Sequence, residues 1–114
     1  MRTLSPKNPK YKGKYIGNED ERNLAIHQGT IHPWLISEFC KAWLNLYKEQ
    51  GLALVEEIYK GFEDEMNNHG LGTISELYDG NPPHKPNGAI SYAPSVGALL
   101  SIKMLVDNNK EILK

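Results

Sequence analysis

Apolar residues recur at three- and four-residue spacing in three stretches of the chain. In the first, Leu35, Phe39, Ala42 and Leu46 form one row, and Ile36, Cys40, Trp43 and Tyr47 form a second beside it. The spacing predicts a helix from Pro33 to about Glu49 that is apolar over a wide arc. Proline suits its first turn, where the missing N–H would have no partner anyway. After a turn at Gly51, Val55, Ile58, Tyr59, Phe62 and Met66 make a single stripe. Glu56, Glu57, Lys60, Glu63, Asp64 and Glu65 face away from it. This predicts a second helix over Leu52 to Asn68, closed by Gly70 in a left-handed cap. The third runs from Pro94 to Val106 or Asp107. It carries two apolar rows, Val96, Leu99, Leu100 and Met104, then Ala98, Ile102, Leu105 and Val106.

Between these stretches the pattern is weak. Residues 1–29 hold no period and are punctuated by Pro6, Pro9, Gly13, Gly17 and Gly29. They are expected to be irregular and to lie against something larger. About twenty residues, from Leu71 to Ala93, separate the second and third helices, whereas connections usually run to ~4–6 residues. Within them "GAISYA" is a candidate extended piece, and "NNKEILK" a short final turn. The expected fold is all-α: three main helices and a long loop in a single unit, residues 1–114. The first and third helices carry more apolar surface than a three-helix unit can bury. That surplus points to self-association or to a larger partner.

Composition narrows the function classes. The chain has 114 residues, 39% of them apolar and 24% charged, with a net charge of −1. That balance fits a globular protein and lacks the basic surplus of a nucleic-acid binder. No apolar run approaches the ~18 residues of a membrane span, and the basic opening residues have no apolar core of a signal peptide. A cytoplasmic location is the expectation. The one cysteine, Cys40, is expected to be a small buried side chain. No cofactor is implied. His27, His32, His69 and His84 show neither the i, i+4 pairing nor the cysteine pairs of a zinc site, so no metal is expected.

Two clusters carry candidate chemistry. "HQGTIHPWL" gathers His27, Gln28, Thr30, His32 and Trp34 at a helix entry. Polar groups there could pair with sugar hydroxyls while an indole face stacks on a pyranose. Alternatively, Thr30 or His32 caps the helix and Trp34 packs in the core. "GTISELYDG" sets one acid, Glu76, between Ile74 and Leu77. Such a carboxylate suits a general base; the alternative is an exposed loop glutamate.

Taken together, "RTLSPKNPKYKGKY", "HQGTIHPWL" and "GTISELYDGNPPHKPNGAISYAPSVGALL" resemble the C-terminal part of the amylo-alpha-1,6-glucosidase module of glycogen debranching enzymes. "SELYDG" is also similar to the matching loop of glucoamylases. The resemblance implies a glycoside hydrolase built as part of an (alpha/alpha)6 toroid, with its active site on long loops. It implies an inverting mechanism at alpha-1,6 branch points of a glycogen-like glucan. Glu76 would be the general base. The general acid would lie upstream, in helices outside this chain, so the isolated chain is expected to be inactive. His27, Gln28, Trp34 and Asp79 would be substrate-side residues, Asp79 also orienting the base. The partners implied are the branched glucan and either the missing upstream toroid or a second copy. The chain departs from the family pattern at Asn23, Ile26, His32 and Pro94, and the family carries Trp at the last two. A non-catalytic helical module that binds glucan or self-associates is the alternative.

Overall fold

The computed structural model describes residues 1–112, and its regular structure is mainly helical. The helices are α1 (Glu19–His27), α2 (Ile36–Tyr47), α3 (Leu52–Asn68) and α4 (Ala93–Ile112). Short 3-10 turns, Pro33–Leu35 and Lys48–Gly51, flank α2. In the long loop a small antiparallel ribbon pairs β1 (Leu77–Tyr78) with β2 (Pro86–Asn87). The expected all-α architecture, with three main helices and a long loop, is what the chain adopts.

Several boundaries differ from expectation. α1 falls within the stretch read as irregular. Only Ala25 on it is buried, so it has no apolar stripe. It forms because Asn18 and Glu21 close a reciprocal capping box, and Glu19, Asp20 and Glu21 face the positive end of the helix dipole. The helix expected from Pro33 begins as a 3-10 turn and ends at Tyr47, where Lys48 takes a positive φ of 51°. α4 continues to Ile112 instead of stopping near Asp107. A 2.6 Å ion pair from Lys110 to Glu56 of α3 holds that extension. Leu113 and Lys114, the end of the expected final turn, lie outside the described residues. "GAISYA" is not a strand; the ribbon forms on either side of Asp79–Lys85. α3 and the left-handed Gly70 beyond it match expectation.

The apolar rows build two joined cores. Cys40 and Leu44 of α2, Leu52 and Val55 of α3, and Ile102 and Val106 of α4 form the first. Ile74, Tyr78 and Leu99 form the second, under the loop, with Ile31, Phe62 and Met66 against it. Tyr59 packs on both. The molecule measures 53 × 32 × 20 Å, with a radius of gyration of 15.2 Å. A compact domain of this length would have a radius of about 13 Å. The chain is therefore a slab, about two helices thick. Trp34, Leu46, Tyr47, Leu100 and Met104 stay exposed on it, as the wide apolar arcs predict.

The opening residues, expected to be irregular, are held against the chain itself. They form a strap across the chain's own loop. Arg2 Nε donates to the Gly80 carbonyl at 3.1 Å, and Tyr11 Oη to Asn81 Oδ1 at 3.0 Å. The Asn81 N–H donates to the Gly13 carbonyl, and the Thr3 N–H to the Thr30 carbonyl, both at 3.0 Å.

Candidate active site

Backbone pairing brings the two sequence clusters together. The Ile31 N–H donates to the Tyr78 carbonyl at 2.8 Å, and the Tyr78 N–H returns the bond at 2.9 Å. This antiparallel bridge ties the corner after α1 to the loop before β2. His32 stands one residue beyond it and Glu76 two residues before it. Their side chains are close enough that the Glu76 carboxylate favours the protonated form of His32.

The corner itself is built around Thr30, which is fully buried. Its hydroxyl donates to the Ala25 carbonyl at 3.1 Å and its N–H to the same oxygen at 3.2 Å. Thr30 thus closes the C-terminal end of α1; it does not cap the next helix. His32 makes no side-chain cap either. Its Nε2 lies 3.2 Å from both the Ile26 carbonyl and Thr30 Oγ1. The carbonyl requires a donor, which assigns the proton to Nε2. Burial pulls the His32 pKa below its ordinary value and outweighs that carbonyl and Glu76, which both push it up.

Glu76 is half-buried, and its position is set by a single neighbour. The Glu76 N–H donates to the Ala89 carbonyl at 2.9 Å, and the Ala89 N–H donates to Glu76 Oε2 at 3.0 Å. Among the described residues, Oε1 has no hydrogen-bond donor. A carboxylate with one oxygen fixed and the other open can orient a water and take its proton.

The other candidates are placed as follows. His27 is exposed and lies near enough to His32 to oppose its protonation. Gln28 is half-buried, and its carbonyl accepts from the Lys12 N–H at 2.6 Å. Trp34 is 45% exposed at the head of α2, so it is not a core residue. Asp79 is 6% exposed, and its Oδ1 accepts from the Tyr15 N–H at 2.8 Å and from Asn87 Nδ2 at 2.9 Å. It locks strap, loop and ribbon at one atom. Sequence does not single out Asn87, Arg2 and Tyr11, because Asp79, Gly80 and Asn81, which they respectively bond, lie 8, 78 and 70 residues away. Behind the loop, Ile36, Ile58, Phe62, Tyr78 and Pro83 line a cleft of about 370 Å³ that does not include Glu76. Burial pushes the Tyr78 hydroxyl pKa up, against the opposing hydrogen bond from the Ser75 N–H, with Glu65 adding to the rise.

The strap, the corner, α2, α3, the loop and the first half of α4 fall within residues 1–101, which match the sequence profile of the amylo-alpha-1,6-glucosidase family. The chain belongs to this family. Comparison with the curated proteins and with the solved structures gives no match. As an amylo-alpha-1,6-glucosidase relative, the chain is related to glycoside hydrolases, and a glucan is the substrate class its family implies. No group of three or more His, Cys, Asp or Glu among the described residues is arranged to hold a metal, and none of their helices is long and apolar enough to cross a membrane.

Proposed function

We propose that this chain supplies the general base of an inverting glucosidase acting at alpha-1,6 branch points of a glycogen-like glucan. One observation supports the reading: Glu76, near enough to His32 to favour its protonated form, has one carboxylate oxygen held by the Ala89 N–H and the other without a donor among the described residues. The free oxygen takes a proton from water as that water attacks the anomeric carbon. An inverting pair needs a second carboxyl ~6.5–9.5 Å away to protonate the leaving oxygen. That acid comes from a separate segment, which also completes the alpha/alpha toroid and walls the site. His27 and Gln28 contact sugar hydroxyls, Trp34 stacks on a ring, and Asp79 orients the loop that carries the base. The reaction belongs in the cytoplasm, with no cofactor.

Incubating the chain alone with glycogen limit dextrin should release no glucose. Co-expression with the upstream part of a related glucosidase module should restore release, and Glu76→Gln in that complex should lower kcat by ~10²–10⁴-fold. Release by the chain alone, or a complex indifferent to Glu76→Gln, refutes the assignment.

A second reading has support from the surface. The accessible area is 7295 Å². A compact monomer of this mass exposes about 6,300 Å². Leu46, Leu100 and Met104, exposed by 71, 61 and 64%, lie on the outer faces of α2 and α4. These features suit a non-catalytic helical module that self-associates or binds glucan. Light scattering would detect a dimer, and amylopectin binding with and without Trp34→Ala would test the glucan. A dimer that ignores amylopectin favours this alternative.

A further inference from the structure

We propose that Asn87 is a positioning residue for the Glu76 carboxylate, acting through the backbone of Gly88 and Ala89 without touching the acid. The proposal rests on the reading of Glu76 as the base and adds what holds that base in place. Both bonds that fix Glu76 go to Ala89, one at its carbonyl and one at its N–H. The carboxylate therefore sits where Ala89 puts it. Ala89 has an exposed methyl side chain and no anchor of its own. On its C-terminal side the Ile90 carbonyl accepts a long 3.4 Å bond from Ser75 Oγ, and on its N-terminal side, toward the acid, the nearest anchor is Asn87.

Asn87 is held on three sides. It pairs with Leu77 in the ribbon. Its Nδ2 donates to Asp79 Oδ1 at 2.9 Å and to the Lys85 carbonyl at 2.9 Å, so both amide protons are committed. Asp79 Oδ1 in turn accepts the Tyr15 N–H of the strap. Between Asn87 and Ala89 stands Gly88, with φ +69°, a conformation that glycine adopts without steric cost. A Cβ on Gly88 would lie 2.6 Å from Glu76 Oε2 and 3.0 Å from Glu76 Cβ. The turn passes directly against the acid, so a shift of Gly88 is a shift of the carboxylate. Asn87, locked at the start of this two-step turn, sets the direction in which the Ala89 N–H points. Positioning within a fraction of an ångström is what a base needs to hold an attacking water.

If Asn87 only stabilised the ribbon, its loss would lower stability and leave the Ala89–Glu76 bond intact in the folded molecules. Proton NMR of the 114-residue chain separates the two cases. In the parent, the Ala89 amide proton should move downfield as pH rises through the range where carboxylates ionise. Glu76→Gln should remove that response and so assign it. Asn87→Ala should at least halve the response and speed Ala89 amide exchange by about tenfold. The Tyr92 amide, bonded to the Ile74 carbonyl at 3.0 Å at the far end of the loop, should keep its protection. Asn87→Asp keeps the side-chain shape and loses both donors, and is scored in the same way should the alanine variant fail to fold. An unchanged Ala89 response in either folded variant, or no response in the parent, overturns the proposal. Failure of the glucose-release assay with Glu76→Gln would instead overturn the base and leave this measurement standing.

Discussion

Two carboxylates three residues apart in one loop should behave as opposites, and Asp79→Ala tests the difference. Asp79, a residue only 6% exposed, accepts two hydrogen bonds at Oδ1, from the Tyr15 N–H and from Asn87 Nδ2. Hydrogen bonds to a carboxylate contribute roughly 1.5–3 kcal/mol each. Tyr15 is half-buried, so its freed N–H recovers some water, which sets the loss toward the lower end. The two bonds would sum to ~3–6 kcal/mol, and with that recovery truncation should cost about 2–4 kcal/mol. The unfolding entropy of a chain this long is roughly 0.24 kcal/mol/K near the melting point, so Tm should fall by about 8–17 °C. Glu76→Gln keeps an acceptor for the Ala89 N–H at a half-buried position and should cost less than about 1 kcal/mol. Asp79→Asn, which retains an oxygen between the two donors, should fall between them. Thermal melts followed by circular dichroism, with urea titrations for the free energies, measure all three. An Asp79→Ala variant that melts within about 4 °C of the parent would refute the reasoning, as would a Glu76→Gln variant that loses as much.

Two further outcomes follow from buried titratable groups. Burial lowers the His32 pKa in the folded chain, so the unfolded chain binds that proton more readily. Stability from His32 is fully present above about pH 6.5 and falls as the pH drops below it. The Met1 amine, also lowered by burial and donating to the His32 carbonyl at 3.1 Å, acts in the same direction from higher pH. Melts from pH 7.5 to 5.5 on the parent and His32→Gln isolate the histidine share, and identical acid limbs would contradict it. Burial pushes the Cys40 thiol up to about 11, and no part of it is exposed. At pH 8 only about one thiol in a thousand would be ionised even with access, so a thiol reagent should label Cys40 only after denaturant is added. Stoichiometric labelling of the native chain within minutes would contradict the burial.

Legibility followed the range of the interactions. α3 was readable to the residue because one apolar stripe and Gly70 define it locally. The loop was readable as an interruption between periodic segments. α1 was not, since only Ala25 is buried; its signal lay in the Asn18–Glu21 spacing, a capping feature without hydrophobic support. The end of α4 depends on an ion pair to α3, and β1 and β2 are two residues each, too short to alternate. In the candidate site, Glu76 stands out in the sequence as an acid amid apolar neighbours. What holds it does not. The Ala89 N–H belongs to the backbone and leaves no mark on composition. Asn87 looks like any polar loop residue until Asp79 and Lys85 are placed beside it.

The strap has a consequence for the order of events in synthesis. Arg2, Tyr11 and Tyr15 find their partners 78, 70 and 64 residues further on. Closing loops of that length is entropically costly, while α2 and α3 need only near neighbours. α2 and α3 should therefore gather first, and residues 2–15 should wait, undocked, until the segment from Asp79 to Asn81 has left the ribosome. Until then the basic, proline-punctuated strap stays open to a protease in the nascent chain.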